Sequence, residues 1–288
     1  ASNNWVLGGK KTASGKAILA NDPHLEVNRL PAVWYEVRWQ QSDRYFVGAT
    51  MPGLPALIIG RTNDLAWGVT YAFMDATDSW VEECKDGKFR RFVDGTDTWQ
   101  AFTERKTTIK RKNNKPVECV FWENIHGVLD GDPHVEGRYL ATLWAPTHGT
   151  GAASIAAFMG LFRARNVKQG MKLCSHIETW WNWVLADDDG AIGYQMSGRM
   201  PARNEGRSGF VPLDGVDPHN DWLGFIPPDR LPWMLDPEEG YFCTANQDLN
   251  KHGRCRPINL PMGPYRADRI SAQLAARDDW SVSATQRL

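Results

Sequence analysis

Ser2 lies one residue inside a sequence that opens Ala1-Ser-Asn-Asn-Trp5. A serine hydroxyl is a weak nucleophile until a base takes its proton. Were Ser2 the first residue, its own α-amino group, with an ordinary pKa of about 7.7–8.0, would be that base. One residue would then supply both nucleophile and base. With Ala1 attached the nitrogen is an amide and no amine base exists, so the chain as written is expected to be inactive. Taken alone, a serine this close to a chain end reads as a frayed terminus. An ordinary serine hydrolase with His24 as base would need a nucleophile elbow, and no G-x-S-x-G occurs. The five cysteines, Cys84, Cys119, Cys174, Cys243 and Cys255, include no C-x-x-C pair, which argues against a thiolate zinc site. Their odd number leaves at least one thiol free. Disulfides stay open, with Cys243 and Cys255 the nearest pair; the alternative is buried small hydrophobes.

Such groups need a scaffold, and the chain is long enough to build one. Its 288 residues correspond to one large or two ordinary domains. With 33 Lys+Arg against 34 Asp+Glu there is no basic excess to suit nucleic acid or an anionic membrane as the main partner. A charged content of 23% alongside 14 Trp excludes a disordered chain. The longest apolar runs, Leu54–Gly60 and Ala152–Phe162, fall short of the ~20 residues that span a bilayer.

Period-two alternation and turn punctuation predict strands at Ala17–Ala20, Val33–Trp39, Tyr45–Ala49, Ala56–Gly60 and Ala66–Tyr71. Trp180–Ala186 and Ala191–Met196 read as two strands joined at Asp187–Gly190. Apolar positions 155, 158, 159 and 162 predict a helix over Ala153–Asn166, and Arg266–Arg277 a second one. The basic stretch Arg105–Lys112, between Asp94-Gly95 and Asn113-Asn114, reads as a solvated hairpin. Pro201–Gly240, rich in Pro and Gly, is expected to be irregular. The whole is one continuous domain over 1–288 with an insertion at about 79–137.

Several blocks carry a family resemblance. They are Ser2–Val6, Gly15–Leu25, Pro52–Pro55, Asn63–Gly68, Asp187–Tyr194, Gly198–Arg203, Trp222–Pro227, Thr244–Gln247 and Arg266–Arg269. In this order they resemble the start of the β subunit of the penicillin acylase (penicillin amidase) family. The resemblance implies an α+β fold of the N-terminal-nucleophile hydrolase kind, a four-layer αββα sandwich whose two antiparallel sheets carry helices on their outer faces. It implies an amidase that holds the acyl group on the terminal serine after a precursor cleaves itself before that residue. Acceptable amides would be penicillin-, cephalosporin-, acyl-homoserine-lactone- or lipopeptide-like.

The resemblance places the nucleophile at Ser2 and the oxyanion donors at the Tyr71 main chain and the Asn246 carboxamide. Fixed donors of this kind are what a tetrahedral oxyanion requires. It places an arginine near the centre at Arg269, a residue assisting the serine at His24, and a positioning residue at Asn3. Leu25 and Ile59 fall on acyl-pocket positions that are aromatic in phenylacetyl-specific relatives, which suggests a roomier slot, for example for a fatty acyl chain. Some relatives bind calcium through positions matching Asp75, the Thr77 carbonyl, Asp78 and the Pro201 carbonyl, oxygens that suit a hard cation. A further aspartate of that set is missing near Pro257–Asn259, and no cofactor is required. Family members work as an α subunit plus a longer β subunit, in the periplasm or secreted. A small-molecule amide is then the substrate, the rest of both subunits the partners, and a carboxylate for His24 is expected beyond Leu288. The competing class is a non-catalytic carbohydrate-binding module using exposed Trp platforms. Trp5, Trp67 and Trp181–Trp183 sit in apolar strand contexts that argue for burial instead.

Overall fold

Apolar runs closed off by turn residues become the strands of a seven-stranded antiparallel sheet in the computed structural model, which describes residues 1–26, 28 and 33–288. The strand order is Trp233–Leu235, Ile192–Met196, Trp181–Asp187, Leu65–Tyr71, Ile59–Arg61, Arg44–Thr50 and Tyr35–Gln41. Trp181–Asp187 and Ile192–Met196 are buried almost throughout, which is why they read as unbroken apolar runs. The Asp187 carboxylate closes their connection by accepting from the backbone nitrogens of Ala191 and Val167, both at 3.0 Å.

Two helices cover one face of this sheet. Helix α1, Ala152–Leu161, and helix α2, Val167–Cys174, bring Phe158, Leu161, Met171 and Cys174 against Leu65, Trp67, Trp183 and Leu185. The helix expected over Ala153–Asn166 thus stops early, at Leu161. Asn166 caps α2 instead, its side chain accepting from Gln169 N at 3.0 Å, a stronger preference for asparagine than a helix interior.

A three-stranded antiparallel sheet holds Ser2–Leu7 between Ile18–Pro23 and Tyr241–Thr244. Trp5 and Leu7 pack with Cys243 against Ala267 and Leu274 of helix α3, Tyr265–Ala275, and against Trp280 and Ala284, the last in helix α4, Val282–Thr285. The other face of this sheet meets the seven-stranded one. Thr244 Oγ1 lies 2.8 Å from Thr70 Oγ1, and Asn21 Nδ2 donates to Val69 O at 2.8 Å. Gly68 permits that approach, since a Cβ there would stand 2.8 Å from Asn21 Cβ and 3.0 Å from Asn4 Oδ1.

These elements form one compact unit, Ala1–Met74 with Gly149–Arg199 and Ile226–Leu288. A second unit comprises Asp75–His148 and Met200–Phe225. It is larger than the insertion expected at about 79–137, because Leu213–Asp214 pairs parallel to Thr77–Lys85 and Trp80 Nε1 donates to Asn220 O at 3.0 Å. Such pairing across more than a hundred residues leaves no local signal. Its eight-stranded sheet carries a small apolar core of Cys84, Phe89, Phe102, Leu129 and Ala141. The basic stretch is a hairpin, Thr103–Ile109 with Val117–Asn124. Pro201–Gly240 holds only strands of two or three residues and short 3-10 turns.

Candidate active site

Ser2 begins the central strand of the three-stranded sheet, opposite Pro23, and is 7% exposed. Its backbone nitrogen donates to Asn246 Oδ1 at 2.7 Å. Asn246 Nδ2 in turn donates to the Tyr71 carbonyl at 2.8 Å. The Asn246 side chain therefore bridges the start of the strand Ser2–Leu7 and the end of the strand Leu65–Tyr71. Asn246 itself sits at φ 67°, a left-handed backbone that asparagine tolerates better than most residues. Its carbonyl accepts from Met262 N at 2.9 Å, and the neighbouring Gln247 side chain ties back to Ala245 N and Cys243 O. The block Thr244-Ala-Asn-Gln247 is thus a preset turn that aims one carboxamide.

The arginine at this centre is Arg266. Its Nη1 donates to Ser2 O at 2.8 Å and Asn3 Oδ1 at 2.7 Å, and its Nη2 to Ala245 O at 2.5 Å and Asn246 Oδ1 at 3.1 Å. One guanidinium fixes both the serine strand and the asparagine turn. Arg269 is not brought here: it is exposed and has no hydrogen bond or ion pair among the described residues. At about 100° per residue, Arg269 lies roughly 200° round α3 from the buried Ala267, whereas Arg266 shares a stripe with the half-buried Ile270. Both arginines stand in one sequence block, and only the helix phase separates them.

His24 reaches the serine through its backbone. Its N–H is 3.3 Å from Ser2 Oγ and 3.1 Å from Ala1 O. The imidazole turns away, with Nε2 2.7 Å from Asp22 Oδ2, and Asn3 Nδ2 reaches the same oxygen at 3.2 Å. The carboxylate facing His24 is therefore Asp22, two residues before it, which an alternating strand end already hints at. An ordinary His–Ser pair has no geometric basis in this arrangement.

Tyr71 is 44% exposed, its ring edge-on to Phe73 at 4.9 Å and to Trp180 at 6.1 Å. Phe73 holds φ 52°, a strained backbone for a bulky residue and the sort that concentrates at functional sites. Phe73 and Trp180, which pack on Tyr71, carry no local sequence signal for this site. Leu25 and Ile59 are not brought together. Leu25 is exposed, while Ile59 lines a cavity of about 880 Å³ with Trp5, Asn21 and Trp67, whose lining does not include Ser2.

All five cysteines are free, and burial pushes the Cys243 thiol up to about 12 against the opposing charge of Arg266. Cys243, opposite Trp5 on the neighbouring strand, is thereby held as a thiol. Trp5, Trp67 and Trp183 are buried, so they form no sugar platform.

In the second unit Asp75 Oδ1, Asp78 Oδ1 and Thr77 O do converge, but on Gly209, where a Cβ would meet them at 2.4, 2.9 and 2.2 Å. That focus is one bond from Gly209 Cα, so the glycine occupies it. Arg203 supplies the charge: Nε is 2.7 Å from Asp78 Oδ2, and Nη2 is 3.2 Å from both Asp75 Oδ1 and Asp78 Oδ1. Gly209 N donates to both Asp75 oxygens, and Trp222 Nε1 donates to Asp78 Oδ2. Every carboxylate oxygen already accepts a donor. The set fits a guanidinium and does not fit a dication. Among the described residues no group of three His, Cys, Asp or Glu side chains is arranged to hold a metal.

The family model described as penicillin amidase matches residues 1–288. The chain is 32% identical over 286 residues to acyl-homoserine lactone acylase QuiP of Pseudomonas aeruginosa, covering 96% of this chain and 33% of that protein. It is 30% identical over 303 residues to penicillin acylase 2 proenzyme of Pseudomonas sp. strain SE83, covering 98% and 36%. Among solved structures, the thermostable penicillin G acylase from Alcaligenes faecalis matches with a TM-score of 0.84 at 24% identity, over 98% of this chain and 50% of that one. The chain thus spans about a third of the length of the curated relatives it matches.

Proposed function

The chain belongs to the penicillin amidase family, and on that premise we propose that it is the nucleophile-bearing part of an amide hydrolase that carries the acyl group on Ser2. The observation that carries this is the Asn246 side chain, joined on one side to Ser2 N and on the other to Tyr71 O. The packing of α1 and α2 on one sheet and of α3 and α4 on the other supports a four-layer arrangement for this unit.

In the proposed reaction Ser2 Oγ attacks the substrate carbonyl carbon, and the Ser2 α-amino group takes the hydroxyl proton. The oxyanion is held by the Tyr71 N–H and by Asn246 Nδ2, whose second N–H is not used by another hydrogen bond among the described residues. Collapse breaks the C–N bond, the protonated amine passes its proton to the leaving amine, and the acyl group remains as an ester on Ser2. Water attacks that ester with the same amine as base and regenerates the serine. Arg266 holds the Ser2 main chain and the Asn246 side chain in register throughout. No step runs through a metal.

The amine exists only once the bond between residues 1 and 2 is cut. In this proposed cleavage the single His24 N–H, which faces both Ser2 Oγ and Ala1 O, holds the oxyanion as Oγ adds to the Ala1 carbonyl carbon. Expulsion of the Ser2 nitrogen, which carries off the hydroxyl proton as an amine, leaves an Ala1 ester on Oγ, and water hydrolyses it to free the hydroxyl and the residue 1 carboxylate. That one relative is named a proenzyme supports such processing.

Acyl-homoserine lactones and penicillins, named in the relatives, are the substrate classes proposed, with the remaining polypeptide of both subunits as partners and a periplasmic or secreted location. The test is turnover of both amide classes by the processed full-length protein and by its Ser2→Ala variant. Loss of turnover in the variant with unchanged circular dichroism supports the reading; retained turnover refutes it.

A further inference from the structure

The hairpin Thr103–Ile109/Val117–Asn124 is absorbed by none of the chemistry above. It is the edge of the eight-stranded sheet, paired from Thr103↔Glu123 to Ile109↔Val117, and its first strand is exposed over its whole length. The connection at 110–116 reads Lys-Arg-Lys-Asn-Asn-Lys-Pro, exposed at every residue.

Charge is sorted along this hairpin. Nearer the sheet each cation has a partner: Arg105 with Glu123 at 2.7 Å, and Lys106 with Glu104 at 2.9 Å. At the turn Lys110, Arg111, Lys112 and Lys115 have no acidic partner among the described residues, in a chain whose net charge is only −1. Charged residues on an edge strand discourage edge-to-edge pairing. The paired cations on the strand already do that, and the four beyond the last paired residues add nothing to it.

Apolar character is sorted too. Side chains alternate across a strand, so Ile109, Val117, Cys119 and Phe121 share one face. Ile109 and Val117, opposite each other beneath the cationic turn, are 51% and 37% exposed. A ring of cations around a small aliphatic wedge complements a bilayer interface, where anionic headgroups attract the charges and the acyl boundary accepts the wedge. Single-stranded nucleic acid would need exposed aromatic faces for stacking. The Phe121 ring is covered by the Arg105 guanidinium at 4.6 Å, and Trp122 packs against His134 at 4.9 Å.

We propose that the tip of this hairpin docks on an anionic phospholipid surface, with Lys110, Arg111, Lys112 and Lys115 on headgroup phosphates and Ile109 and Val117 entering the interface. The contact is peripheral, and because the charges are exposed it weakens as salt rises.

Sedimentation of the full-length protein with phosphatidylcholine vesicles, with and without phosphatidylglycerol, tests this. The account expects about tenfold more protein on the anionic vesicles at low salt, lost at high salt. A Lys110→Glu/Lys112→Glu/Lys115→Glu variant should lose that difference, and Ile109→Ser should reduce it, both with unchanged melting temperature because these side chains lie outside the core. Equal sedimentation with both vesicles, or an undiminished difference in the triple variant, overturns the proposal. So does binding of a single-stranded oligonucleotide without binding of either vesicle.

Discussion

The Asn246 carboxamide oxygen accepts a 2.7 Å hydrogen bond from the backbone nitrogen of Ser2, across 244 residues of chain. That contact places the nitrogen proposed as base against a group that can orient its protons, while the nitrogen end of the same carboxamide faces Tyr71.

Asn246→Ala removes both contacts and one of the two proposed oxyanion donors. We expect kcat for amide hydrolysis to fall about 100- to 1,000-fold, with KM changed far less, as for loss of a single preset donor. Steady-state kinetics of the processed full-length variant measures this. A change confined to KM would assign Asn246 to substrate binding instead.

The two arginines of α3 should separate cleanly. Arg266→Ala loses four oxygen acceptors and should cost about 2 kcal/mol of stability together with a large loss of kcat. Arg269→Ala should stay within about 0.5 kcal/mol of the parent and keep its turnover. Thermal melts and kinetics of the pair decide the matter, and the reverse ranking would restore the role to Arg269.

This pair also marks how far sequence reasoning reached. The strands Leu65–Tyr71 and Trp181–Asp187 were legible because apolar content and turns are local, and the blocks around Ser2, Tyr71 and Asn246 were legible as a resemblance. Which of two arginines three residues apart faces the serine is a matter of helix phase against a sheet, and no local pattern states it. The same holds for Arg203, whose pairing with Asp75 closes 128 residues of chain, and for Asn166, whose capping role outweighed the apolar periodicity that ran up to it.

Arg203 as resident cation has a consequence for chelators. Incubation of the full-length protein with a chelator should leave its melting temperature unchanged. Arg203→Met leaves two buried carboxylates without their cation and should destabilise by about 3–5 kcal/mol. A chelator-induced drop in melting temperature, reversed by calcium, would contradict this assignment.

The second unit carries a pH-dependent knot. His126 lies between Glu82 Oε1 at 2.5 Å and Asp221 Oδ1 at 2.9 Å, stacked on Trp80, and Arg91 holds the other Asp221 oxygen at 2.5 Å. Burial alone would push the imidazole down, but the Asp221 and Glu82 carboxylates hold it above the ordinary histidine value. Its contribution is therefore complete below about pH 6.5 and is lost as pH rises through the raised folded value. Burial would raise the Asp221 carboxyl, yet His126 and Arg91 hold it below the ordinary range, so its contribution is present above about pH 4 and lost as pH falls through the lowered value. Melting of this unit should accordingly be highest between roughly pH 4 and 6.5. His126→Gln should flatten the alkaline decline, and a melt that rises from pH 6 to 9 in the parent would refute the assignment.

The most direct measurement is peptide mass spectrometry of the full-length protein trapped with a slowly hydrolysed acylating amide or a sulfonyl fluoride. The account predicts one covalent adduct, on a peptide whose first residue is Ser2, and none on protein in which residue 1 is still joined to Ser2. An adduct on any other side chain, or robust amide turnover by protein that retains Ala1, would contradict it.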